Sequence, residues 1–421
     1  MTGTSVALSI TDKFEAARTA SIRLATATAA EKNTALGAIA AAIPLNASRI
    51  LAANELDLAN GRENGMSDGL QDRLRLDEKR LTALAASVLE IAALPDPIGD
   101  VVRGSTLENG LQLTQVRVPF GVIGAIYEAR PNVTIDIAAL ALKSGNAAVL
   151  RGGSAAENTN RVLVGVIQAA LAGTALPIES VQTIDEFGRD GARQLMQARG
   201  LVDVLIPRGS ADLINSVVAD STVPIIETGA GVVHIFLDES ADLETSVAIV
   251  HNAKVQRPSV CNALETLLVD SSAAERLLPA VLGRLRASGV TIHADERTRQ
   301  LFPDTVAATE EDWSTEYMSL DVAVRVVDDL DGALEHIRRY STKHTESIIT
   351  NNLGHAERFI AEVDSAVVMV NASTRFTDGG EFGFGAEVGI STQKLHARGP
   401  MGLPELTSTK WVVRGSGQVR G

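Results

Sequence analysis

From Gly121 onward, short apolar runs alternate with helix-like stretches, and this alternation restricts the fold more than any other feature. The runs at 122–127, 147–151, 204–207 and 223–227 are apolar and bounded by glycine or proline. Helix-like segments lie between them at 133–143, 158–170 and 210–217. Strands that alternate with helices pair in parallel, and a parallel sheet covered on both faces reads as near-continuous apolar runs. A second series follows at 232–237, 241–252, 264–269, 271–287, 322–327, 329–340, 347–350, 355–363 and 367–370. Two series predict two doubly wound α/β domains.

The flanks read differently. The first hundred residues carry helical patterns. Thr28 and Glu31 have capping-box spacing ahead of an Ala-rich run expected to stop before Pro44. A second helix is expected from a cap at Asn46, and a third from Asp77 to just before Pro95. Residues 111–118 alternate apolar and polar side chains, the pattern of a strand with one wet face. Residues 406–413 are also strand-like. The chain shows no internal repeat.

Composition narrows the function. With 52 acidic against 38 basic residues, the net charge is −14. A binder of nucleic-acid backbone or of an anionic membrane surface needs a basic face, so both classes are excluded. At 45% hydrophobic and 21% charged, the 421-residue chain is globular, with length for two to three domains. Aromatics are 3%, so the core must be built from Ala, Val, Leu and Ile. One cysteine cannot form an internal disulfide. No apolar run reaches about 18 residues, the length of a membrane span. The N-terminus lacks the basic and apolar regions of a secretory signal, so the expected location is cytoplasmic.

Cys261 lies in Arg257-Pro258-Ser259-Val260-Cys261-Asn262, directly before an apolar run. One reading is a small buried hydrophobe. The other is a loop nucleophile whose thiolate is favoured by Arg257, with the Asn262 amide as a donor. Glu227 ends an apolar run and opens the glycine loop Thr228-Gly229-Ala230-Gly231. It is either an exposed loop carboxylate or a group at the strand end where ligands collect. Two glycine turns follow strand-like runs, Arg151-Gly152-Gly153-Ser154 and Arg208-Gly209-Ser210. Glycine there lets a backbone approach a phosphate, and an adjacent arginine can read a 2′-phosphate. No G-x-G-x-x-G follows the first strand, and each turn alone also fits plain turn chemistry. After the first run comes Tyr127-Glu128-Ala129-Arg130-Pro131-Asn132. Arg130 can hold a carboxylate bidentately. Asn132 can donate to an oxyanion or cap the following helix. Seven histidines are scattered without metal-ligand spacing, and no metal site is expected. His234, inside an apolar run, reads as a satisfied core residue.

Several longer stretches stand in a specific order. Val118-Pro119-Phe120-Gly121-Val122-Ile123-Gly124 leads into Tyr127 through Thr134. Lys143-Ser144-Gly145-Asn146, Leu150-Arg151-Gly152-Gly153 and Glu227-Thr228-Gly229-Ala230-Gly231 follow. Then come Asn252 through Ala263, Gly399-Pro400-Met401-Gly402-Leu403, and Thr409-Lys410-Trp411. Together they resemble the aldehyde dehydrogenase superfamily, and within it the branch that reduces an acyl phosphate. The resemblance implies three modules. These are a cofactor domain (1–104 and 121–229), a catalytic domain (230–371), and a small β oligomerisation arm (105–120 and 393–421). It implies reduction of L-glutamyl 5-phosphate by NADPH to L-glutamate 5-semialdehyde and phosphate, the second step from glutamate to proline. A cysteine thioester on Cys261 would carry the acyl group, with Asn132 and Glu227 as further catalytic candidates. Arg151 to Ser154 and Arg208 to Ser210 match cofactor positions, and Glu316 matches a ribose-binding carboxylate. Arg130 and Arg257 are the candidates for substrate. Substrate supply by glutamate 5-kinase and a homodimer or higher homo-oligomer are expected. Two alternatives compete with this reading: a non-catalytic relative that keeps the fold, and a semialdehyde-oxidising, NAD-dependent dehydrogenase. Retention of Cys261, Glu227 and both glycine turns argues against the first. The Glu-Ala-Arg-Pro-Asn and Gln-Arg-Pro-Ser-Val-Cys stretches argue against the second.

Overall fold

The computed structural model describes residues 8–128 and 130–420. The chain forms two compact units. One takes residues up to Glu227, Gly383–Gly389 and the chain from Met401; the other takes Thr228–Phe382 and Ile390–Pro400.

In the first unit, helices α1 (Ile10–Leu24), α2 (Ala29–Leu45), α3 (Ala47–Glu63), α4 (Asp68–Leu74) and α5 (Glu78–Ala93) precede all strands. The capping box of α2 is formed. Thr28 Oγ1 accepts from the Glu31 N–H at 3.2 Å, and the Glu31 carboxylate accepts from the Thr28 N–H at 2.7 Å. Two sequence expectations need correction. Helix α2 does not stop before Pro44 but carries through it to Leu45. In the last turn the missing proline N–H costs one intrahelical bond, the one to the Ala40 carbonyl, and the helix has only one residue left to run. Asn46 precedes α3 but makes no side-chain cap there. Its amide donates back to the Ala42 carbonyl at 2.9 Å and so closes α2 instead.

Strands β1 (Val101–Thr106) and β2 (Gln112–Pro119) join the C-terminal strand Thr407–Arg414 in an antiparallel sheet with β2 central. β2 pairs with the C-terminal strand over eight positions, Thr407↔Pro119 to Arg414↔Gln112. The half-wet pattern of 111–118 thus belongs to a strand bonded on both edges. The parallel sheet of this unit contains β3 (Val122–Tyr127), β4 (Ala147–Gly152), β5 (Val181–Thr183) and β6 (Val204–Arg208), in the order β5-β4-β3-β6. Helices α6 (Pro131–Lys143), α7 (Glu157–Leu171), α8 (Gly188–Met196) and α9 (Ala211–Asp220) follow these strands in turn. Residues 223–227 are not a full strand. One bridge, Leu205↔Ile225, lines them against β6, because Pro224 has no N–H to give. The strand order reverses between β3 and β6, the switch point at whose carboxyl end ligands bind in such sheets.

The second unit is built on a seven-stranded sheet whose named pairs all run parallel. It contains β7 (Val233–Leu237), β8 (Leu264–Asp270), β9 (Thr291–Ala294), β10 (Val306–Ala307), β11 (Asp321–Val327), β12 (Thr345–Ile349) and β13 (Val367–Val370). The order is β10-β9-β11-β8-β7-β12-β13. Helix α10 (Leu243–Val255) crosses from β7 to β8. After β13 the chain doubles back along β12. Ser347 Oγ donates to the Ala372 carbonyl at 2.9 Å, and Thr345 Oγ1 to Thr377 Oγ1 at 3.0 Å. Residues 371–377 are thereby returned to the amino end of β12. His234, read as a satisfied core residue, is only half satisfied. Its Nδ1 meets the buried Glu346 carboxylate at 3.0 Å, and its buried Nε2 has no partner.

Candidate active site

Cys261 sits on the loop 256–263, between the last turn of α10 and the amino end of β8. It is half-buried, so it is not the core hydrophobe that one reading allowed. The loop is closed at its base by Lys254. This fully buried side chain donates to the Leu264 carbonyl at 2.8 Å and the buried Glu265 carboxylate at 2.7 Å. Burial pushes Glu265 up to about 7 and pulls Lys254 down, and each partner's charge opposes the other's shift. Gly231 packs on the loop's backbone. A β-carbon there would lie 1.6 Å from the Cys261 carbonyl oxygen. The Gly231 N–H donates to Glu316 Oε1 at 2.8 Å. Glu316 is raised by burial, and this hydrogen bond offsets part of the rise. The expected ribose ligand is therefore tied to the segment that supports the cysteine.

Arg375 was not singled out from the sequence. It lies in the returning segment, on the short 3-10 turn Thr374–Phe376. Its guanidinium bonds the Asn262 side-chain oxygen, and its Nε donates to Gln256 Oε1 at 3.0 Å. Thr374 Oγ1 donates to the Asn262 carbonyl at 2.7 Å, and the Asn262 amide donates to the Thr377 carbonyl at 2.8 Å. The Asn262 amide, expected as a donor for chemistry, is therefore spent on holding this turn. Arg257 is exposed and forms no ion pair among the described residues, so it does not brace the loop as a salt bridge. No spacing rule links Arg375 to Cys261, because only the reversal after β13 brings them together.

At the carboxyl edge of the first sheet, the two glycine turns flank β3. Arg151, next to last in β4, has a buried Nε with no partner. A β-carbon on Gly152 would lie 2.0 Å from Asn160 Nδ2. A buried chain fixes this edge. The Tyr127 hydroxyl meets Thr134 Oγ1 at 2.7 Å, Thr134 donates to Asn160 at 2.8 Å, and Asn160 donates to Asp185 at 3.1 Å. Asp185 also accepts from the Gly152 N–H at 2.7 Å, and burial raises it to about 6. Thr134 has one proton and gives it to Asn160, so Tyr127 is the donor to Thr134. Gly153 precedes the 3-10 turn Ser154–Ala156 that leads into α7.

On the other side, Ser210 caps α9 and donates to Glu128 at 2.6 Å. A β-carbon on Gly209 would lie 2.7 Å from the Glu128 carboxyl carbon. Glu128 thus occupies the switch point, a place the sequence reading did not give it. Half-buried Arg208 donates from Nη1 to the Val388 carbonyl. Arg130, not Asn132, holds the N-cap position of α6. The Asn132 amide donates to Asp136 at 3.2 Å, and burial raises Asp136 against the pull of Arg208. Glu227 ends this unit just after Ile226, whose N–H bonds the Leu205 carbonyl at 3.0 Å. The cofactor candidates other than Glu316 therefore belong to the first unit, with Arg130, Asn132 and Glu227. Cys261, Arg257 and Glu316 belong to the second.

The comparisons with known proteins assign this arrangement, two α/β units with parallel sheets, glycine turns at a sheet edge and a half-buried loop cysteine, to an aldehyde-dehydrogenase-type oxidoreductase. The chain matches the aldehyde dehydrogenase family over residues 6–301. It is 71% identical over 420 residues to a gamma-glutamyl phosphate reductase of Leifsonia xyli, covering 100% of both chains. A crystal structure of the gamma-glutamyl phosphate reductase from Thermotoga maritima superposes with a TM-score of 0.96 at 48% identity, covering 98% of this chain and 100% of that one. An acetylating aldehyde dehydrogenase from Geobacillus thermoglucosidasius shares the fold, with a TM-score of 0.70 at 18% identity over 98% of this chain and 97% of that one. The chain belongs to the gamma-glutamyl phosphate reductases of the aldehyde dehydrogenase family. It is an oxidoreductase of the class that acts on an acyl phosphate or an aldehyde, in a family that uses nicotinamide cofactors.

Proposed function

We propose that this protein reduces L-glutamyl 5-phosphate with NADPH to L-glutamate 5-semialdehyde and inorganic phosphate, the second step from glutamate to proline. The observation that carries the reading is the half-buried Cys261 on a loop braced by Gly231 and Asn262. In this account the Cys261 thiolate attacks the acyl carbon. Phosphate is a good leaving group and departs without strong acid help, and a thioester remains. Exposed Arg257 offers a cation for the departing dianion, and Arg130 one for the substrate carboxylate.

The residues at the first sheet's edge fit a nicotinamide dinucleotide. Arg151, with its unpartnered Nε, suits the 2′-phosphate of NADPH. Gly152, which fits against Asn160 only without a β-carbon, and Gly153 form the turn, while Ser154, Gly209 and Ser210 supply backbone donors at helix starts. Glu316 would hold the nicotinamide-side ribose. NADPH held by these residues would supply the hydride that reduces the thioester to a thiohemiacetal. The backbone N–H of Cys261 and the Asn132 amide are assigned to the oxyanion; Asn132 must then release Asp136. Collapse of the thiohemiacetal frees the aldehyde and restores the thiolate. Glu227 is assigned to proton transfer, since a reductase gains nothing from activating water. The protein is further proposed to be cytoplasmic, to receive its substrate from glutamate 5-kinase, and to form a homodimer or higher oligomer through the β2 sheet.

The test runs the reaction backwards: NADP⁺ reduction by glutamate 5-semialdehyde with and without phosphate, against NAD⁺. Phosphate-dependent turnover that favours NADP⁺ is expected. Steady oxidation that ignores phosphate would overturn the reading.

A further inference from the structure

We propose that Arg375 is the positioning residue of the nucleophile: it locks the Cys261 loop and holds its positive charge beside the thiolate. The inference rests on the reading of Cys261 as the nucleophile but not on any particular substrate. It begins with geometry. The Arg375 guanidinium spans the loop, with Gln256 Oε1 at 3.0 Å on one side of the cysteine and the Asn262 side-chain oxygen on the other. Its neighbours Thr374 and Thr377 fasten Asn262 by its carbonyl and its amide at 2.7 and 2.8 Å. Behind them Ser373 Oγ donates to Asn252 of α10 at 2.6 Å, so the turn is anchored to the helix that delivers the loop. A guanidinium held at two of its nitrogens keeps its charge in one place and loses little further entropy when the thiolate forms.

The other charges around the cysteine do not do this work. Arg257 is exposed and has no ion pair among the described residues to hold it. Lys254 is neutralised by Glu265 at the loop's base. Glu316 supports Gly231 and, where ionised, opposes a thiolate. Asp378 and Glu381 lie on the continuation of the returning segment and act on Arg375 itself. Burial, then the Arg257 charge, pulls the Arg375 guanidinium below its ordinary value, while Asp378, Cys261 and Glu381 pull the other way. The cysteine and the arginine are thus electrostatically coupled.

Cys261 is the only cysteine, so alkylation by iodoacetamide reports on it alone. The experiment is the pH profile of alkylation of the full-length protein, in the absence of substrate and cofactor. For Arg375→Gln the midpoint should rise by roughly one pH unit, the effect of losing one nearby opposite charge. The rate at pH 7 should fall up to about tenfold, kcat should fall with it and recover at higher pH, and KM for NADPH should stay unchanged. Arg375→Lys should restore part of the midpoint. If Arg375→Gln does not fold, Gln256→Leu loosens the same guanidinium from an exposed position and should raise the midpoint less, in the same direction. An unmoved midpoint in the folded variant overturns the proposal. So does a higher KM for substrate with an unmoved midpoint, which would make Arg375 a substrate ligand. Because no substrate is present, failure here leaves the proposed reaction untouched.

Discussion

Gly231 and Cys261 meet backbone to backbone: a β-carbon on Gly231 would lie 1.6 Å from the Cys261 carbonyl oxygen. That distance is far inside van der Waals contact, and the nearest atoms are backbone, which cannot swing aside. Gly231→Ala must therefore displace the cysteine loop. A fall in kcat of tenfold or more is expected, because sub-ångström misplacement of a nucleophile is costly. Cys261 alkylation should remain, since the thiol is only moved. Steady-state kinetics on the folded variant would show it; wild-type kcat would refute the contact.

The Lys254–Glu265 pair predicts an asymmetric mutant cycle. Lys254→Met leaves a buried carboxylate whose partner is gone, at a cost of about 3–5 kcal/mol in urea unfolding. Lys254→Met/Glu265→Leu removes both charges and should cost much less. Equal losses for the single and double variants would mean that packing, not charge, matters here.

Buried histidines make part of the stability pH-dependent. Burial, the largest cause, holds His336 down to about 2 and His344 down to about 4, against an unfolded value near 6.5. Below pH 6.5 the unfolded chain takes up protons that the folded chain refuses. This contribution is whole above 6.5 and is lost as pH falls toward the folded values, at about 1.4 kcal/mol per pH unit for each histidine. Glu265 and Asp185, raised by burial, act in the opposite sense over part of this range. His336→Gln isolates the histidine contribution. The stability of wild type relative to the variant should fall by about 1.4 kcal/mol per unit between roughly pH 5.5 and 4.5. A pH-independent difference would refute it.

The two arginines of the glycine turns should separate. Arg151 has an orphaned buried Nε, whereas Arg208 already serves the Val388 carbonyl. Arg151→Ala should raise KM for NADPH roughly tenfold or more while sparing KM for NADH, the loss of one charged hydrogen bond. Arg208→Ala should raise both alike, by loosening Gly383–Gly389. The reverse pattern would assign the 2′-phosphate to Arg208.

Much of this was legible in the sequence because it is written in local pattern. The apolar runs became strands, and Thr28–Glu31 and Asp77 became caps. Pro44 and 223–227 were misread for a shared reason: a proline near an element's end costs one bond, and neighbours decide whether the element continues. What the sequence withheld is long-range. Arg375 reaches the cysteine loop only through the reversal after β13, and Glu128 reaches Gly209 only because β3 and β6 are neighbours. Asn132 and Arg208 carry suitable chemistry at plausible places, and only the fold shows that Asn132 also donates to Asp136 and Arg208 to the Val388 carbonyl.

The central claim is that Cys261 carries the acyl group. Rapid mixing of the enzyme with NADP⁺ and L-glutamate 5-semialdehyde, without phosphate, tests it most directly. The account predicts a burst of one NADPH per subunit, followed by near-arrest as the thioester waits for an acceptor, with turnover resuming when phosphate is added. Cys261→Ser should give no burst. A burst of equal size in that variant, or steady wild-type turnover with no burst, would contradict the account.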